Sequence, residues 1–523
     1  MTLPTFDEAY VVSDLHIGGA PGLQMFASTE RFNEFVSYLE RRLAELRRTR
    51  KNAGGRDAEL LLVINGDFID FLAEQERDYF LVTQGLSLLH RIMENADRFP
   101  GVTKALQRFV AKTGSHLVVV LGNHDLELAL PECREAFVQI VTENNPARRS
   151  RVELCFEGWG YRFQVAGKKA LCLHGNETDM HNFTRYDELD RIQREIALLG
   201  RSEFGLRWKP SAGTQFVVDA VNPLKKQHPF VDLMHPMIPL VPALLGLINP
   251  GNLRYADEAA ALTATALANE HDRPTSQRRM LSVNLPMAAD SFGSGRSRSA
   301  AEITAEVERE MQLGRVDQLI QNGASGYRDV LGMFDWIENV RDVTTRFRES
   351  VVDLTRTTVQ RLDVARRAAH REMARQILLT MVGERLDLPS ELSDEDKAIE
   401  KTVGGQYDVV FVGHTHHRRL ATRASGKGIH VNTGTWADRM TLLKKDVGNS
   451  DRFSEVYAAL IGDDRNALAD KNLNLVRREC PVAVLGTLKD QRTVSVSLGT
   501  LPEGTTEKLD IQLSAPLDKQ EVT

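Results

Sequence analysis

Cysteine is scarce in this sequence. Cys133, Cys155, Cys172 and Cys480 are scattered, and no two share a C-x-x-C spacing. That argues against a disulfide framework and a structural zinc site, and buried free thiols in a reducing cytosol are expected. Long apolar runs are missing too. No uninterrupted stretch reaches the ~20 residues of a spanning helix, so no transmembrane segment is expected. The start, Met1-Thr2-Leu3-Pro4-Thr5-Phe6-Asp7-Glu8, has no basic region followed by an apolar one. No signal peptide is therefore expected, and the chain reads as cytoplasmic. Net positive charge is absent as well: 66 Lys and Arg stand against 72 Asp and Glu, a formal charge of −6. No global field favours non-specific nucleic-acid binding. There is no internal repeat of fixed period.

What is present is the composition of a soluble protein, 42% hydrophobic and 26% charged. A chain of 523 residues is long enough for one large elaborated domain or two to three units. Residues 9–12 form a short apolar strand ending in Ser13-Asp14-Leu15-His16. A helix follows over about residues 28–50, with Phe32, Phe35, Leu39, Leu43 and Leu46 at helical spacing. Leu60-Leu61-Leu62-Val63-Ile64 is a second strand and ends in Asn65-Gly66-Asp67-Phe68-Ile69-Asp70. Helical sequence fills most of residues 79–112. Leu117-Val118-Val119-Val120-Leu121 then runs into Gly122-Asn123-His124-Asp125. This alternation predicts an α/β sheet covered by helices. Residues 160–173 carry a β pattern that ends in His174-Gly175-Asn176-Glu177-Thr178-Asp179. The next strand of this kind, Asp408-Val409-Val410-Phe411-Val412, ends in Gly413-His414-Thr415-His416. Further β-like pieces lie at 428–436, 482–488 and 492–498, and the tail from Pro502 reads as polar and frayed.

Chemistry is concentrated at the strand ends, where open α/β sheets gather ligands. Asp14, His16, Asp67, Asn123, His174, His414 and His416 supply two carboxylates, one amide and four imidazoles. This mixed donor set suits manganese, iron or zinc, whereas an all-oxygen set would indicate magnesium or calcium. Seven protein ligands are too many for one ion that must also bind water. They suit two ions sharing one carboxylate, which could hold a hydroxide between them and clamp a phosphoryl group. In Gly413-His414-Thr415-His416, alternate positions put both imidazoles on one side of an extended segment.

The ordered blocks D-L-H, G-D, G-N-H-D, H-G and G-H-T-H resemble those of the calcineurin-like metallophosphoesterases. The resemblance covers about residues 8–180 and 405–500. It implies a four-layer α/β/β/α sandwich with two metals above the sheet edges. By position, Asp14, His16, Asp67 and His416 would bind one ion, and Asp67, Asn123, His174 and His414 the other. Asp67 would bridge. His124 would contact the phosphate and protonate the leaving oxygen, with Asp125 orienting its ring. Within the family, Ser13-Asp14-Leu15-His16, the block from His174 to Asp179 and Asn432-Thr433-Gly434-Thr435-Trp436 are similar to the UDP-2,3-diacylglucosamine pyrophosphatase branch. His124 stands where that branch usually has Arg, and Asn176 where it usually has an acidic residue.

The chain thus divides into a first core part (1–180), a mainly helical insertion (181–405), a second core part (406–500) and a polar tail (501–523). In the insertion, residues 273–300 have the composition of a mobile loop. The apolar run 237–248 reads as buried packing, or as a lid or membrane-surface element that meets a lipid-like leaving group. Across about 327–386 an apolar stripe recurs at threes and fours, a bundle face or a dimer seam. The arginines along it read as a solvated face, or as a surface for a phosphate-rich partner. The expected activity is dimetal hydrolysis of phosphate esters or pyrophosphates, with manganese as first choice of metal. The expected substrate is a phosphorylated small molecule or a lipid-linked phosphate. A nuclease of the same superfamily and a silent scaffold that binds a partner through the insertion are the competing readings. The acidic balance weighs against the first and the complete ligand set against the second.

Overall fold

Strands β1 (Thr5–Phe6) and β2 (Glu8–Val12) open the chain. Helix α1 (Thr29–Asn52), strand β3 (Leu60–Asn65), helices α2 (Val82–Glu94) and α3 (Pro100–Ala111), strand β4 (Ser115–Val120), helix α4 (Pro131–Thr142) and strand β5 (Val152–Cys155) follow. Next come β6 (Tyr161–Val165) and β7 (Lys168–Cys172), and then β8 (Val409–Val412), β9 (Arg419–Thr422) and β10 (Ile429–Asn432). The remaining strands are β11 (Arg439–Met440), β12 (Val476–Arg477), β13 (Pro481–Thr487), β14 (Val494–Thr500) and β15 (Asp510–Leu517). This computed structural model describes residues 2–26, 28–52, 57–74, 82–179, 181–199, 208, 210–226, 228–234, 371, 375, 378, 379, 390–461, 468, 473–487, 493–505 and 507–517. The expected mobile loop at 273–300 and the apolar run at 237–248 lie outside the described residues, as does nearly all of the stretch 327–386.

The chain forms two compact units. The first comprises Met1–Pro210, Asp387–Asp438 and Arg478–Thr523, and the second Ser211–Leu386 and Arg439–Arg477. Residues 439–477, which the sequence reading placed in the second core part, therefore group with the second unit.

Two sheets build the first unit. One has the order β15-β14-β13-β2-β3-β4-β5, and the other β1-β6-β7-β8-β10-β9. Strands β2 to β5 are parallel, as are β7, β8 and β10. Period-two alternation sorts the side chains. Ala9, Val11, Leu61, Val63, Val118 and Val120 join Phe163, Ala170, Cys172, Val409, Phe411 and Val431 in a core between the sheets. The alternate residues Tyr10, Val12, Leu62, Ile64, Leu117 and Val119 face outward and are covered by α1 and α3 through Phe32, Phe35, Leu39, Leu106 and Phe109. On the far side, Val410 and Val412 pack against Ile399 of the helix Asp394–Thr402. The result is a four-layer α/β/β/α sandwich. Each fully buried leucine or phenylalanine in these layers contributes roughly 1.5–3 kcal/mol.

Three local expectations are refined. Helical sequence over 79–112 breaks into α2 and α3 because Pro100 takes the first turn of a new helix, where its missing N–H costs nothing. Residues 160–173 form a hairpin whose two-residue turn, Ala166-Gly167, has φ of 47° and 80°. Positive φ at both central positions is what a tight hairpin turn of matching twist requires. The tail is not frayed throughout: β15 pairs antiparallel with β14 and places Leu513, Ala515 and Leu517 on the inner core. Its alternation is hidden among polar residues, so the apolar face shows only once a partner strand is in place.

In the second unit, Lys225 and Asp232 form a buried ion pair, β11 pairs with β12, and Met234 bridges Met440. Among the described residues no helix is long and apolar enough to cross a membrane.

Candidate metal centre

Every sequence-predicted site residue lies in the loop at the carboxyl end of a parallel strand of the first unit: β2, β3, β4, β7 or β8. The loops are stitched together by backbone hydrogen bonds. Asp14 N donates to Gly66 O at 3.0 Å, His16 N to Asp67 O at 2.9 Å, and Gly413 N to His174 O at 2.7 Å. The peptide N–H of His414 donates to both carboxylate oxygens of Asp14 at 3.1 Å. Five of the residues hold left-handed backbone: Asp14 (φ 52°), His16 (49°), Asp67 (49°), His414 (66°) and His416 (60°). Such conformations cost on the order of 1–3 kcal/mol each and persist where the surroundings over-determine them, as at binding sites.

Three groups of side chains bring one ligand atom each within 4.8 Å of one another: Asp14, His16 and His416; His16, Asp67 and His124; and Asp67, His174 and His414. His416 Nε2 is 3.2 Å from Asp14 Oδ1, and His16 Nε2 is 3.1 Å from His416 Nε2. His174 Nε2 lies 3.1 Å from Asp67 Oδ2. Asn123 precedes His124 in the same strand-end loop. Its side chain is buried, and its Oδ1 has no hydrogen-bond partner.

These residues fit a divalent ion on their own chemistry. His16 Nδ1 faces Asp70 Oδ2 at 3.2 Å, and His174 Nδ1 faces the carbonyl of Asn65 at 2.9 Å. Both partners only accept, so each Nδ1 is a donor, and in the neutral ring, the form that can ligate an ion, each Nε2 turns its lone pair inward. His174 Nε2, like Asn123 Oδ1, is buried without a hydrogen bond. Orphaned buried acceptors pointing at a cluster of carboxylates are costly unless something positive binds there.

Electrostatics follow the same geometry. Burial would raise the Asp67 carboxyl, but the imidazoles of His174 and His124 outweigh it and hold it well below the usual carboxylate range. Burial would lower His174, but Asp67 and Asp14 push it up to about 10. Burial likewise would lower His124, but Asp70 and Asp67 raise it to about 9. Burial keeps His416 below its ordinary value in spite of Asp14.

One predicted role is corrected. The carboxylate on the His124 ring is Asp70, whose Oδ1 lies 3.0 Å from His124 Nδ1. Asp125, expected there, instead accepts from the N–H groups of Gly122 at 2.7 Å and Phe68 at 2.8 Å. Its own loop and the Asp67 loop each engage one of its oxygens, so it clamps the backbone. Sequence reasoning also gave no role to Asn65, Asp70 or Asp179, although all three sit in the strand-end runs. Sequence offered one signal: Asp70 lies in the same strand-end run as Asp67. The block Asn432 to Trp436 acts as a brace. Thr435 Oγ1 and Trp436 N donate to Asp14 O, and Asn432 Nδ2 donates to Gly413 O at 3.0 Å and Thr415 Oγ1 at 3.0 Å.

A four-layer sandwich whose strand ends converge on histidines and aspartates defines a metal-dependent hydrolase. Residues 9–236 match the family described as calcineurin-like phosphoesterase, so this part of the chain is similar to that family of metal-dependent phosphoesterases. His414 and His416 lie beyond the matched segment, so only the fold brings them to the site. No curated protein and no solved structure gives a significant match to the chain.

Proposed function

We propose that the chain hydrolyses a phosphate ester or pyrophosphate of a bulky organic group at a two-metal centre. The observation that carries this reading is the position of Asp67, which belongs to two of the three ligand groups and so can be shared between two ions. Asp14, His16, Asp67 and His416 would hold one ion, and Asp67, Asn123, His174 and His414 the other. The mixed nitrogen and oxygen donors favour manganese, with iron and zinc as alternatives. Two such ions supply Lewis acidity toward a phosphoryl group and an activated water.

The chain's own residues complete the chemistry. His124 Nδ1 is held by Asp70, which leaves Nε2 free to face a substrate. A ring raised to about 9 carries a proton at neutral pH and can give it to the leaving oxygen. The backbone N–H of His124 donates to Asp67 Oδ1 at 2.9 Å, so the proton carrier and the shared carboxylate are fixed on one frame. We further infer that the inserted residues choose the leaving group and that bulky or lipid-linked phosphates are the substrate class. This rests on chain order: the insertion departs after the block that ends at Asp179 and returns before His414.

Elemental analysis after manganese reconstitution, paired with a panel of phosphomonoester, phosphodiester and pyrophosphate substrates, tests the reading. Two ions per wild-type chain and a loss of at least one in Asp67→Asn are expected. A single ion or none in wild type would sink it.

A further inference from the structure

The loop that follows β7 does more than deliver His174. It also carries Asp179, whose Oδ2 lies 2.8 Å from His414 Nε2. A carboxylate accepts, so Nε2 is the donor, and the lone pair of the neutral ring sits on Nδ1. That is the nitrogen left to meet Asp67 and His174, the group that His414 shares. The backbone of His414 is fixed separately, by its N–H to Asp14 and its left-handed φ of 66°.

Asp179 is itself held before any ligand arrives. Its Oδ1 accepts from His181 N at 2.7 Å, and its Oδ2 from Asn182 Nδ2 at 2.6 Å. Phe183 N donates to its carbonyl at 3.0 Å. Asn176, fully buried, closes the loop from inside, donating through Nδ2 to Asn182 O at 3.0 Å and Thr184 Oγ1 at 3.1 Å. An aspartate at 176 would bring no donor and would turn a carboxylate on the Asn182 carbonyl. This is a physical reason for an amide at that position.

We propose that Asp179 is a positioning residue for one of the two ions: it sets His414 to ligate through Nδ1, and the bonded loop 175–184 holds it in place to do so. The inference rests on the two-metal reading. It adds an asymmetry which that reading does not contain. Asp179 acts on the ion bound by Asp67, Asn123, His174 and His414. It makes no contact with His16 or His416 among the hydrogen bonds and ion pairs described, so the other ion should not depend on it.

The test is an equilibrium titration of metal-free wild type, Asp179→Ala and Asp179→Asn with Mn(II), followed by EPR, with thermal unfolding of each metal-free protein alongside. Loss of an outer carboxylate on a ligating histidine weakens binding on the order of 10–100-fold. Asp179→Ala should therefore keep one site at wild-type affinity and weaken the other by that factor. Asp179→Asn, whose amide oxygen still accepts from Nε2, should lie between. Two sites of wild-type affinity in Asp179→Ala would overturn the proposal. So would equal weakening of both sites with a lowered metal-free Tm, which marks a merely structural residue. Should Asp179→Ala fail to fold, Asp179→Asn with two wild-type sites overturns it equally. Wild type that takes up fewer than two ions defeats the two-metal reading itself, and this inference with it.

Discussion

Asp70 and His124 meet at 3.0 Å, Oδ1 to Nδ1, while the other oxygen of Asp70 reaches His16 Nδ1 at 3.2 Å. One buried carboxylate thus holds both the proposed proton donor and a candidate metal ligand. The two functions should separate by mutation. His124→Asn should keep its metals and lose kcat on the order of 10²-fold or more, with a smaller loss for leaving groups of low pKa. Asp70→Asn should lower both kcat and metal affinity, because it loosens His16 as well. Rates across a series of aryl phosphates, with metal content measured on each variant, check this. A His124→Asn loss that is equal for all leaving groups would mean that the ring binds substrate and does not donate the proton.

Gly122 is one of the positions where the site has no room for a side chain. A Cβ there would lie 2.1 Å from Asp67 Oδ1 and 2.6 Å from Asp67 N. The obstacle is the Asp67 carboxylate and its backbone, neither of which can swing away. Gly122→Ala should cost about 1–3 kcal/mol through overpacking, and metal content should fall with it. Chemical denaturation and elemental analysis on one preparation decide the matter. Full metal loading in a stable Gly122→Ala protein would show that Asp67 has room that the structure does not give it.

A second buried polar network lies away from the metal centre. His430 Nδ1 is 3.0 Å from Glu400 and its Nε2 is 3.1 Å from Asp396. Arg423 and Arg419 pair with the same two carboxylates. Burial by itself would lower the His430 pKa, but hydrogen bonds to Asp396 and Glu400 outweigh it and raise it above 6.5. Asp396 stays ionised well into acid, its carboxyl being held down to about 2 by His430 and Ser393 against its burial. The imidazolium therefore stabilises the fold fully below pH 6.5, and that stabilisation is lost as pH rises through the folded pKa. His430→Gln should cost on the order of 3–5 kcal/mol at about pH 5–6, and the deficit should shrink as pH rises. Urea denaturation of both proteins between about pH 5 and 9 measures it. A deficit independent of pH would mean that the ring is neutral when folded.

Shortening the segment 273–300 should leave hydrolysis of a small nitrophenyl phosphodiester nearly intact and change rates on bulky or lipid-linked phosphates. All seven candidate ligands lie outside the inserted residues, so the chemistry does not require them. Identical relative rates on small and bulky substrates, in a folded and metal-loaded variant, would assign the insertion to partner binding or oligomerisation.

By itself the sequence determined the strands that carry the site and the residue types at their ends. Those features are local. Leu117 to Leu121 is apolar because a parallel strand is buried on both faces, and Gly122-Asn123-His124-Asp125 follows because the strand must end in a loop. Tertiary structure alone decided which side chains meet. Asp125 is adjacent to His124 in sequence, yet its oxygens are consumed by the Gly122 and Phe68 N–H groups, and the ring turns to Asp70 across the site. Asp179 and His414 are 235 positions apart, and no periodicity links them. The polar tail showed no apolar face until β14 supplied a register for Leu513, Ala515 and Leu517. A strand-end loop places its residues near the sheet edge by chain geometry. The direction of each side chain is then set by left-handed backbone at Asp14, His16, Asp67, His414 and His416, and by hydrogen bonds from distant loops that exist only once the sheet has formed.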